Sequence, residues 1–486
     1  MPPARAPTPV LCLLLACGPT TRDDDDTYPR NCGVEGPVDL FELELGFNVE
    51  LQRAGDHYLL RYFVDPTTIQ DWAVERCGEA PVLLYEGTAD LAPNIGAAGE
   101  HVLSCDPMTG EVDWLDPRGM EPPHALFPAV EECRLVPLGT GLAAQQRGGS
   151  TVWFHPDPAD PSAQPIVVTE TARVADPGWI HCYELDLECK SHHPFGVDIR
   201  VAGDDLLVAL QDERLLAWSA TSVSSRTLDP GPLFAMDVLP GDDRVVVSRK
   251  LGPTYVIDRT TGAAIDFGHY SDYEPIQQFG DWVVQGSFSI PSDPAPDDWT
   301  NLSAYHLGTG ATTTVRGTES WSLLARLTAD TMLAEIEDVY DDQDQDQRYV
   351  VWLQTGERQP VDFPGERLWT VPGQDGVFAV LDDSQGGESV HFLPGPDRAP
   401  EVLLEGVQVA FSTVDGRIVT QPAREPGELA PLSVMRPDRS TVQLADDVLG
   451  AFDVYFYTER WPVDRDEVVY VASEDDRWVL RRTVLP

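Results

Sequence analysis

One short stretch of the sequence concentrates cysteine and histidine, the residue types that bind zinc or form disulfides. The segment WIHCYELDLECKSHHPFG contains His181, Cys182, Cys189, His192 and His193. Its spacing matches no strong C-x-x-C zinc pattern. We therefore expect a Cys182–Cys189 disulfide, with the histidines exposed on a loop. Zinc binding through His192 and His193 is the alternative.

A second stretch, EDVYDDQDQDQRY, places carboxylates at alternate positions, Asp342, Asp344 and Asp346. Carboxylate oxygens bind Ca²⁺, and D-x-D-x-D loops use this spacing. The sixth position of such a loop is normally glycine and the twelfth glutamate, whereas this sequence has Gln347 and Leu353 there. We therefore expect a solvated acidic loop, with calcium binding as the alternative.

Sequence motifs of catalysis are missing. The chain contains no H-E-x-x-H, no G-x-S-x-G and no Walker lysine motif. Residues 139–144, GTGLAA, mimic a dinucleotide fingerprint, but they lie between short predicted strands with no helix after them. We therefore expect no catalytic residues, no bound cofactor and no enzyme activity.

The N-terminus has the pattern of an export signal. Val10–Ala16 is an apolar run that follows Arg5, and it is far shorter than the roughly 20 residues of a membrane-spanning helix. A basic start and a short apolar core predict a signal peptide, residues 1–16. Leu14-Leu15-Ala16-Cys17 resembles the lipobox of bacterial lipoproteins, which implies that Cys17 carries the lipid. An ordinary signal peptide and a chance match are the alternatives.

Residues 17–38 are polar and contain four adjacent aspartates, Asp23 to Asp26. Like charges in a row repel one another and resist burial, so this segment is predicted to be a disordered, flexible tether. The predicted body spans residues 39–486, where no segment approaches about 18 continuous apolar residues. We expect attachment by lipid alone to a bacterial envelope membrane, with the outer membrane favoured and the body facing the periplasm or the exterior.

The charge balance limits the class of partner. The chain has 81 acidic and 33 basic residues, a formal net charge of -48. Nucleic acid requires a positive patch and is excluded, and an anionic membrane surface is equally unattractive. A basic protein surface, a surface polymer or a cation suits this charge. From the charge alone, we favour an acidic surface that maintains solubility over one that recruits a partner. We expect a monomer.

Six cysteines remain once Cys12 leaves with the signal and Cys17 carries the lipid. An even number in an oxidising compartment predicts up to three disulfides. Apart from Cys182–Cys189, we expect the other four to pair among themselves: Cys32, Cys77, Cys105 and Cys133.

Pairs of strand-like runs recur along the chain, each pair joined by a turn. Clear copies are CDPMTGEVDWL (105–115), VIDRTTGAAIDF (256–267), AYHLGTGATTTV (304–315) and VVWLQTGERQPV (350–361). With four weaker copies, the turns recur about every 47 residues. Hairpin turns of this kind need a positive φ, which glycine adopts without steric conflict. The candidates are Gly110, Gly262, Gly310 and Gly356.

Each repeat can be divided into four strands, for example VDIRV, DLLVAL, RLLAWSA and SSRTL in the fourth. Four-stranded units of this length resemble the blades of a β-propeller. Asp106–Trp114, D-x-x-T-G-x-x-x-W, is similar to pyrroloquinoline-quinone-type repeats, and the units also resemble WD40-like ones. The resemblance implies an all-β fold: one propeller of about eight blades over residues 39–486. Seven blades and an array of β-sandwiches are the alternatives.

The last predicted unit has only three strands, VLGAFDVYFY, EVVYVAS and RWVLRRTVL. A closed propeller often completes its last blade with an N-terminal strand, which removes an exposed sheet edge. The segment FELELGF (41–47) is available for this pairing.

Long insertions predict where a partner binds. If the four strands alternate in direction, connections from the second to the third strand and from the fourth to the next first strand lie on one face. Loops carry function more often than strands do, so we predict a working face there. The segments assigned to it are Asp65–Pro81, Asp116–Glu132, Arg173–Gly196, Ser289–Thr300 and Glu337–Arg348.

These observations favour a membrane-anchored envelope lipoprotein whose propeller binds or scaffolds a protein or a surface polymer without catalysis. It resembles the eight-bladed outer-membrane assembly lipoproteins in this layout. A propeller hydrolase or lyase is one alternative, and it requires converging carboxylates or a histidine on the innermost strands. A carbohydrate-binding or cation-binding module is another.

Overall fold

The computed structural model describes residues 37–43, 49–65, 67–78, 80–89, 92–174, 199–212, 214–228, 235–238, 244–248, 255–259, 261–262, 264–266, 276–285, 301–316, 320–337, 347–362, 368–373, 376–382, 387–413, 415–424, 428–452, 466–474 and 477–486. All 38 elements named within these residues are β-strands. No helix in this part of the chain is both long enough and apolar enough to cross a bilayer.

Strands β2 to β17 belong to one compact unit of the chain and form sheets 1 to 4, each with four antiparallel strands in chain order. Sheet 1 contains β2 (Val49–Ala54), β3 (His57–Asp65), β4 (Thr68–Glu75) and β5 (Val82–Thr88). Sheet 2 contains β6 (Asn94–Ala98), β7 (His101–Cys105), β8 (Val112–Leu115) and β9 (His124–Phe127). Sheet 3 contains β10 (Val130–Leu138), β11 (Gly141–Gln146), β12 (Val152–His155) and β13 (Ile166–Thr169). Sheet 4 contains β14 (Ile199–Ala202), β15 (Asp205–Ala209), β16 (Leu215–Ser219) and β17 (Ser224–Leu228).

The second unit begins with three sheets of the same kind, sheets 5 to 7. Sheet 5 contains β18 (Ala235–Val238), β19 (Arg244–Ser248), β20 (Tyr255–Asp258) and β21 (Ala264–Asp266). Sheet 6 contains β22 (Ile276–Phe279), β23 (Trp282–Gln285), β24 (Asn301–His306) and β25 (Thr312–Arg316). Sheet 7 contains β26 (Ser320–Arg326), β27 (Thr331–Glu337), β28 (Gln347–Trp352) and β29 (Arg358–Val361).

Sheet 8 of the same unit has ten strands, in the order β1-β38-β37-β36-β35-β34-β33-β32-β31-β30. Its members are β30 (Leu368–Gly373), β31 (Gly376–Asp382), β32 (Glu388–Leu393), β33 (Glu401–Ser412), β34 (Ile418–Pro422), β35 (Ala430–Met435), β36 (Thr441–Phe452), β37 (Glu467–Glu474), β38 (Arg477–Val484) and β1 (Val38–Leu43). The two 12-residue strands, β33 and β36, make it continuous. The first part of each pairs with the preceding strand and the last part with the following one, and the two parts meet at Val407 and at Val448.

The described sheets number eight, as the expected blades do, but the last has ten strands instead of four. The strand pairing therefore does not confirm a blade count of eight. In sheet 8 the chain runs from one four-stranded group into the next within single strands, β33 and β36.

The expected N-terminal strand is present in sheet 8. Strand β1 pairs antiparallel with β38, with Val38 opposite Arg482 and Leu43 opposite Trp478. It begins three residues before the segment assigned from the sequence. Its side chains alternate, since Val38, Leu40 and Leu43 are buried. The pairing covers the edge that β38 would otherwise expose.

The strands of one sheet differ in burial, which explains why some of them are apolar and others polar. Strand β15 is buried at every position, because it is the second strand of a sheet that is covered on both faces. Strand β17, the fourth in the same sheet, is exposed at its first four positions, which are Ser, Ser, Arg and Thr. The second strands therefore contain continuous apolar runs, and the outer strands tolerate polar residues.

The core lies between consecutive sheets. In the first unit, Ala54, Leu59 and Ala73 of sheet 1 pack against Val102 of sheet 2. In the second unit, Leu333 of sheet 7 packs against Ala379, Leu381 and Leu393 of sheet 8. Each large apolar side chain buried in this way contributes about 1.5–3 kcal/mol.

The first strands of neighbouring sheets lie side by side within each unit: β2, β6, β10 and β14 in the first, and β22, β26 and β30 in the second. An innermost first strand and an outermost fourth strand in successive four-stranded antiparallel sheets are the arrangement of propeller blades. The described part of the chain is therefore all-β and propeller-like.

The predicted turn glycines all have positive φ, 76° at Gly110, 72° at Gly262, 72° at Gly310 and 73° at Gly356. Gly110 has a second reason to be glycine, since a Cβ atom there would lie 2.5 Å from the Val130 carbonyl oxygen. The last three turns join the third and fourth strands of their sheets, as expected. The first joins the second and third strands of sheet 2 instead.

Two of the five predicted insertions are wrong. Asp65–Pro81 contains strand β4, and Asp116–Glu132 contains β9 and the start of β10. Strand β4 was overlooked because Asp71 occupies an inward position, where an apolar residue would have made the alternation plain. The other three segments do lie between the strands expected, but most of their residues are outside the described part of the chain.

Candidate functional site

Most residues that the sequence marked as candidates lie outside the described residues. These are Cys17, Cys32, Cys182, Cys189, His192, His193, Asp342, Asp344 and Asp346. Among the remaining cysteines, Cys105 and Cys133 form a disulfide, and Cys77 is also disulfide-bonded. In the part of the chain that the structure describes, no group of three or more His, Cys, Asp or Glu side chains is arranged to hold a metal ion.

The first polar site is a row of cross-strand neighbours on sheet 1, here called the charged row: Glu50, Arg61, Asp71 and Tyr85. Arg61 binds Asp71 through two hydrogen bonds, Nε to Oδ1 at 2.7 Å and Nη2 to Oδ2 at 3.0 Å. Arg61 Nη2 also donates to the Pro93 carbonyl oxygen at 3.2 Å, just before sheet 2. The row therefore lies between sheets 1 and 2.

Glu50, the first member of the charged row, has a shifted carboxyl pKa. Burial raises the pKa of the Glu50 carboxyl above its ordinary value, the nearby Arg61 opposes this shift, and the Asp71 carboxylate adds to it. Glu50 also lies on β2, the innermost strand of its sheet. A carboxyl with a raised pKa on an innermost strand is the feature that a propeller hydrolase or lyase requires of a general acid.

A second site lies between sheets 2 and 3 and is here called the histidine groove: His101, His124 and His155. His101 Nε2 donates to the Thr140 carbonyl oxygen at 2.9 Å, and His124 Nε2 donates to the Pro158 carbonyl oxygen at 2.9 Å. Both bonds run from sheet 2 to a turn of sheet 3. Two histidines thus join the sheets directly.

His155 belongs to sheet 3 and is only 2% exposed. Its Nδ1 atom is buried without a hydrogen-bond partner. Its ring meets the edge of Phe127 at 6.1 Å between centroids. Burial lowers the pKa of His155, and the neighbouring His124 lowers it further. The environment therefore favours a neutral imidazole.

A third site, in sheet 8, pairs a possible nucleophile with a base. Ser389 Oγ and His391 Nε2 lie 3.0 Å apart, two residues along strand β32. His391 is buried, and burial lowers its pKa, while Glu405 on β33 opposes the shift. A serine hydrogen-bonded to an imidazole on a rigid strand is the minimal arrangement for nucleophilic catalysis.

Sheet 7, which packs against sheet 8, contains a buried ion pair. Arg348 Nε donates to Glu335 Oε2 at 3.1 Å. Glu335 lies on the same face of β27 as Leu333, because side chains alternate along a strand, and Leu333 packs against sheet 8. Arg348 is thus neutralised by Glu335, so its full charge is not available to a substrate.

The most deeply buried charges form a cluster in the second unit. Glu467 Oε2 accepts hydrogen bonds from Arg482 Nε at 2.5 Å and from Arg76 Nε at 2.7 Å. All three side chains are at most 6% exposed. The Glu467 carboxylate, on β37, thus links Arg76, which follows β4, to Arg482 on β38.

Buried charges elsewhere follow the same pattern. Every buried carboxylate and guanidinium group among the described residues has a partner within the fold. The set is Asp71, Arg76, Asp116, Asp205, Glu335, Arg348, Glu388, Glu467 and Arg482. These groups stabilise sheets and turns.

No sequence motif marks these sites: most of their members lie on different strands, and Ser389 and His391, two residues apart on β32, match no catalytic motif. One signal was available. Arg61 and Asp71 are isolated charged residues at inward positions of alternating strands, and such residues need a partner. Which residue supplies it depends on strand register, which the sequence does not state.

No protein-family model and no curated protein matches this chain. Several solved structures are similar in fold. The crystal structure of the tricorn protease has 10% identity over 83% of this chain at a TM-score of 0.35, and the match spans only 44% of that protein. The β-propeller domain of the Trilobed protease from Pyrococcus furiosus has 10% identity and a TM-score of 0.32. The match covers 58% of this chain and 92% of that domain. The WD40 repeats of RRP9 have 10% identity and a TM-score of 0.31, and the match covers 60% of this chain and 95% of that structure. These similarities carry no argument about function.

Proposed function

We propose that the protein is a lipid-anchored binding component of a bacterial cell envelope, with a β-propeller body that holds a basic partner, either a protein or a surface polymer. In this proposal Cys17 carries the lipid and residues 17–38 form the tether. The partner binds on the outside of the body, without catalysis.

The pairing of the buried charges carries this proposal. The interior arginines Arg61, Arg76, Arg348 and Arg482 are each bound to a carboxylate of the fold. Because only 33 basic residues face 81 acidic ones, this pairing leaves a large excess of carboxylates for the surface. Such a surface attracts a basic partner and steers its approach.

Affinity purification of the intact lipoprotein from native membranes tests the partner. We expect mass spectrometry to identify a specific basic partner at low salt, and its recovery to fall as salt screens the surface charges. A nickel-resin or antibody eluate from cells that lack the protein is the control. Recovery that does not change with salt would contradict binding through the acidic surface.

Lipid attachment is tested separately with Cys17→Ala. The expected result is loss of incorporated radiolabelled fatty acid and release of the protein from the membrane fraction. Cys12→Ala is the matched control, since that cysteine lies within the signal peptide, and it should label like the parent. Equal labelling of the Cys17→Ala variant and the parent would exclude this anchor.

A second candidate function, an ester hydrolase, rests on the Ser389–His391 pair. Ser389 Oγ would attack the ester carbonyl carbon while His391 Nε2 takes the hydroxyl proton and passes it to the departing alkoxide. Water would then release the acid from Ser389. Covalent labelling by a fluorophosphonate probe, abolished in Ser389→Ala and retained in Ser433→Ala, would support this function over binding alone. No labelling of the folded parent protein would exclude it.

A further inference from the structure

The interface between sheets 2 and 3 is joined differently at its two ends. Strand β7 runs from His101 to Cys105, so the two residues mark opposite ends of one strand. Cys105 is covalently bound to Cys133, near the start of β10 in sheet 3. His101 bonds to the β10–β11 turn of sheet 3 at the other end. Five residues of strand separate these joints by about 13 Å.

The end of the interface at His101, here called the histidine end, brings several titratable groups close together. His101 and His124 approach from sheet 2, and His155 lies on sheet 3. Both sheet 2 histidines act electrostatically on His155. The carboxylates facing this group are Asp157, which acts on His155, and Asp160, which interacts with His124. Both aspartates are exposed in the β12–β13 turn, where solvent weakens their compensation.

Protonation affects the three histidines differently. His101 and His124 each use Nε2–H to donate to a carbonyl, and this bond survives when the second ring nitrogen gains a proton. His155 is different, because its Nδ1 is buried and makes no hydrogen bond. A proton there places a charge between the apolar ring of Phe127 and two further imidazoles, and only the exposed Asp157 and a backbone hydrogen bond with Ala163 favour that charge. Such a state is relieved only if the site becomes accessible to water.

We propose that sheets 2 and 3 form an acid-opened joint: protonation of the histidine groove separates the two sheets at that end, and the Cys105–Cys133 disulfide holds them together at the other. The opening exposes the β9 and β12 edges of the groove. It does not unfold the sheets, because each retains its own four-stranded ladder. This conformational device is independent of the proposed binding function.

Hydrogen exchange with mass spectrometry on the full-length mature protein tests the joint at about pH 7.5 and about pH 5, on either side of the ordinary histidine pKa. After correction for intrinsic exchange rates, peptides covering 124–127 and 152–155 should exchange several-fold faster at the lower pH. Peptides covering 130–135, next to the disulfide, should not change. Equal corrected rates at the two pH values for 124–127 and 152–155 would overturn the proposal.

Two variants assign the response to the groove. His155→Gln removes the buried titrating group, and it should abolish most of the pH difference in both peptides. His124→Gln provides a second measurement if the first variant folds poorly, and it should reduce the difference. His391→Gln is the matched control, a buried histidine of sheet 8 that should leave the response unchanged. A full response in both groove variants would overturn the proposal.

The disulfide has its own test. In the Cys105→Ser/Cys133→Ser protein, the faster exchange at low pH should spread to 130–135, since the covalent link is then absent and that end retains only non-covalent contacts, such as the hydrogen bond from Val130 N–H to the Gly110 carbonyl oxygen at 2.7 Å. A response still confined to 124–127 and 152–155 in this variant would contradict the role of the disulfide as the hinge.

Discussion

Sheet 2 has two neighbours in the first unit, and its two interfaces use polar side chains in opposite ways. Towards sheet 1 it faces the charged row, where Arg61 and Asp71 neutralise each other through paired hydrogen bonds. Towards sheet 3 it faces the histidine groove, where His155 is kept neutral and its Nδ1 has no partner. The comparison shows that a buried polar group can be stabilised either by a partner of opposite charge or by the absence of charge. The second solution fails when a proton is added to the imidazole.

The two interfaces are therefore expected to respond to pH in opposite directions. The folded-state pKa of Glu50 is raised, so the stability linked to it is lost as pH rises above the ordinary value of 4.5. The folded-state pKa of His155 is lowered, so the stability linked to it is lost as pH falls below the ordinary value of 6.5. Between these values the two contributions change with pH in opposite directions and partly offset each other.

Breaking the charged row should have the largest effect. Arg61→Met leaves the Asp71 carboxylate buried without its partner, and we expect a loss of about 3–5 kcal/mol in the free energy of unfolding. Urea denaturation monitored in the first unit measures it. The matched control is Arg214→Met, whose ion pair with Asp212 is about half exposed and should contribute at most about 1 kcal/mol. Equal losses in the two variants would mean that the charged row does not stabilise the interface.

Removing the covalent joint should have the next largest effect. Cys105→Ser/Cys133→Ser opens a disulfide that links residues 28 apart in sequence, and a loop of that size is worth about 3–4 kcal/mol. Thermal unfolding of the oxidised parent and the variant at neutral pH measures the difference. A variant as stable as the parent would show that the disulfide does not stabilise the interface between sheets 2 and 3.

The smallest expected effect is a gain. Glu50→Gln cannot ionise, so it keeps the stability that the glutamate loses as pH rises, and we expect a gain of less than about 1 kcal/mol at neutral pH. Melting temperatures between about pH 4 and pH 8, on both sides of the ordinary glutamate pKa, measure it. Glu111→Gln, on the exposed β7–β8 turn, is the control. Parallel melting curves for the Glu50→Gln variant and the parent would show that Glu50 does not titrate abnormally.

The sequence predicted repeating features well. The turn glycines, the four-stranded units of sheets 4 and 5 and the N-terminal strand beside β38 all follow from local patterns: a dipeptide such as Thr-Gly, or a short apolar run between turns. Such signals depend on neighbouring residues only. They do not set the number of strands per sheet, and β33 and β36 each continue from one group into the next within a single strand, with Gly406 at φ 63° beside the boundary in β33.

The polar sites could not be predicted in the same way. Glu50, Arg61 and Asp71 meet because three strands align in one register, and a shift of one residue would turn every member to the other face. His101, His124 and His155 meet because two sheets pack together. Histidine at the end of a short strand is unremarkable in sequence, and only packing shows that His155 is buried and that its Nδ1 has no partner.

The central claim is that function lies on the acidic surface and that the buried polar groups serve the fold. Partner recovery from membranes by a Glu50→Gln/Ser389→Ala protein, compared with the parent at low and high salt, tests this claim most directly. We predict the same partner in the same amount for both proteins at low salt, and loss of it from both at high salt. Reduced recovery by the variant at an unchanged melting temperature would contradict the claim, because it would assign function to the interior sites.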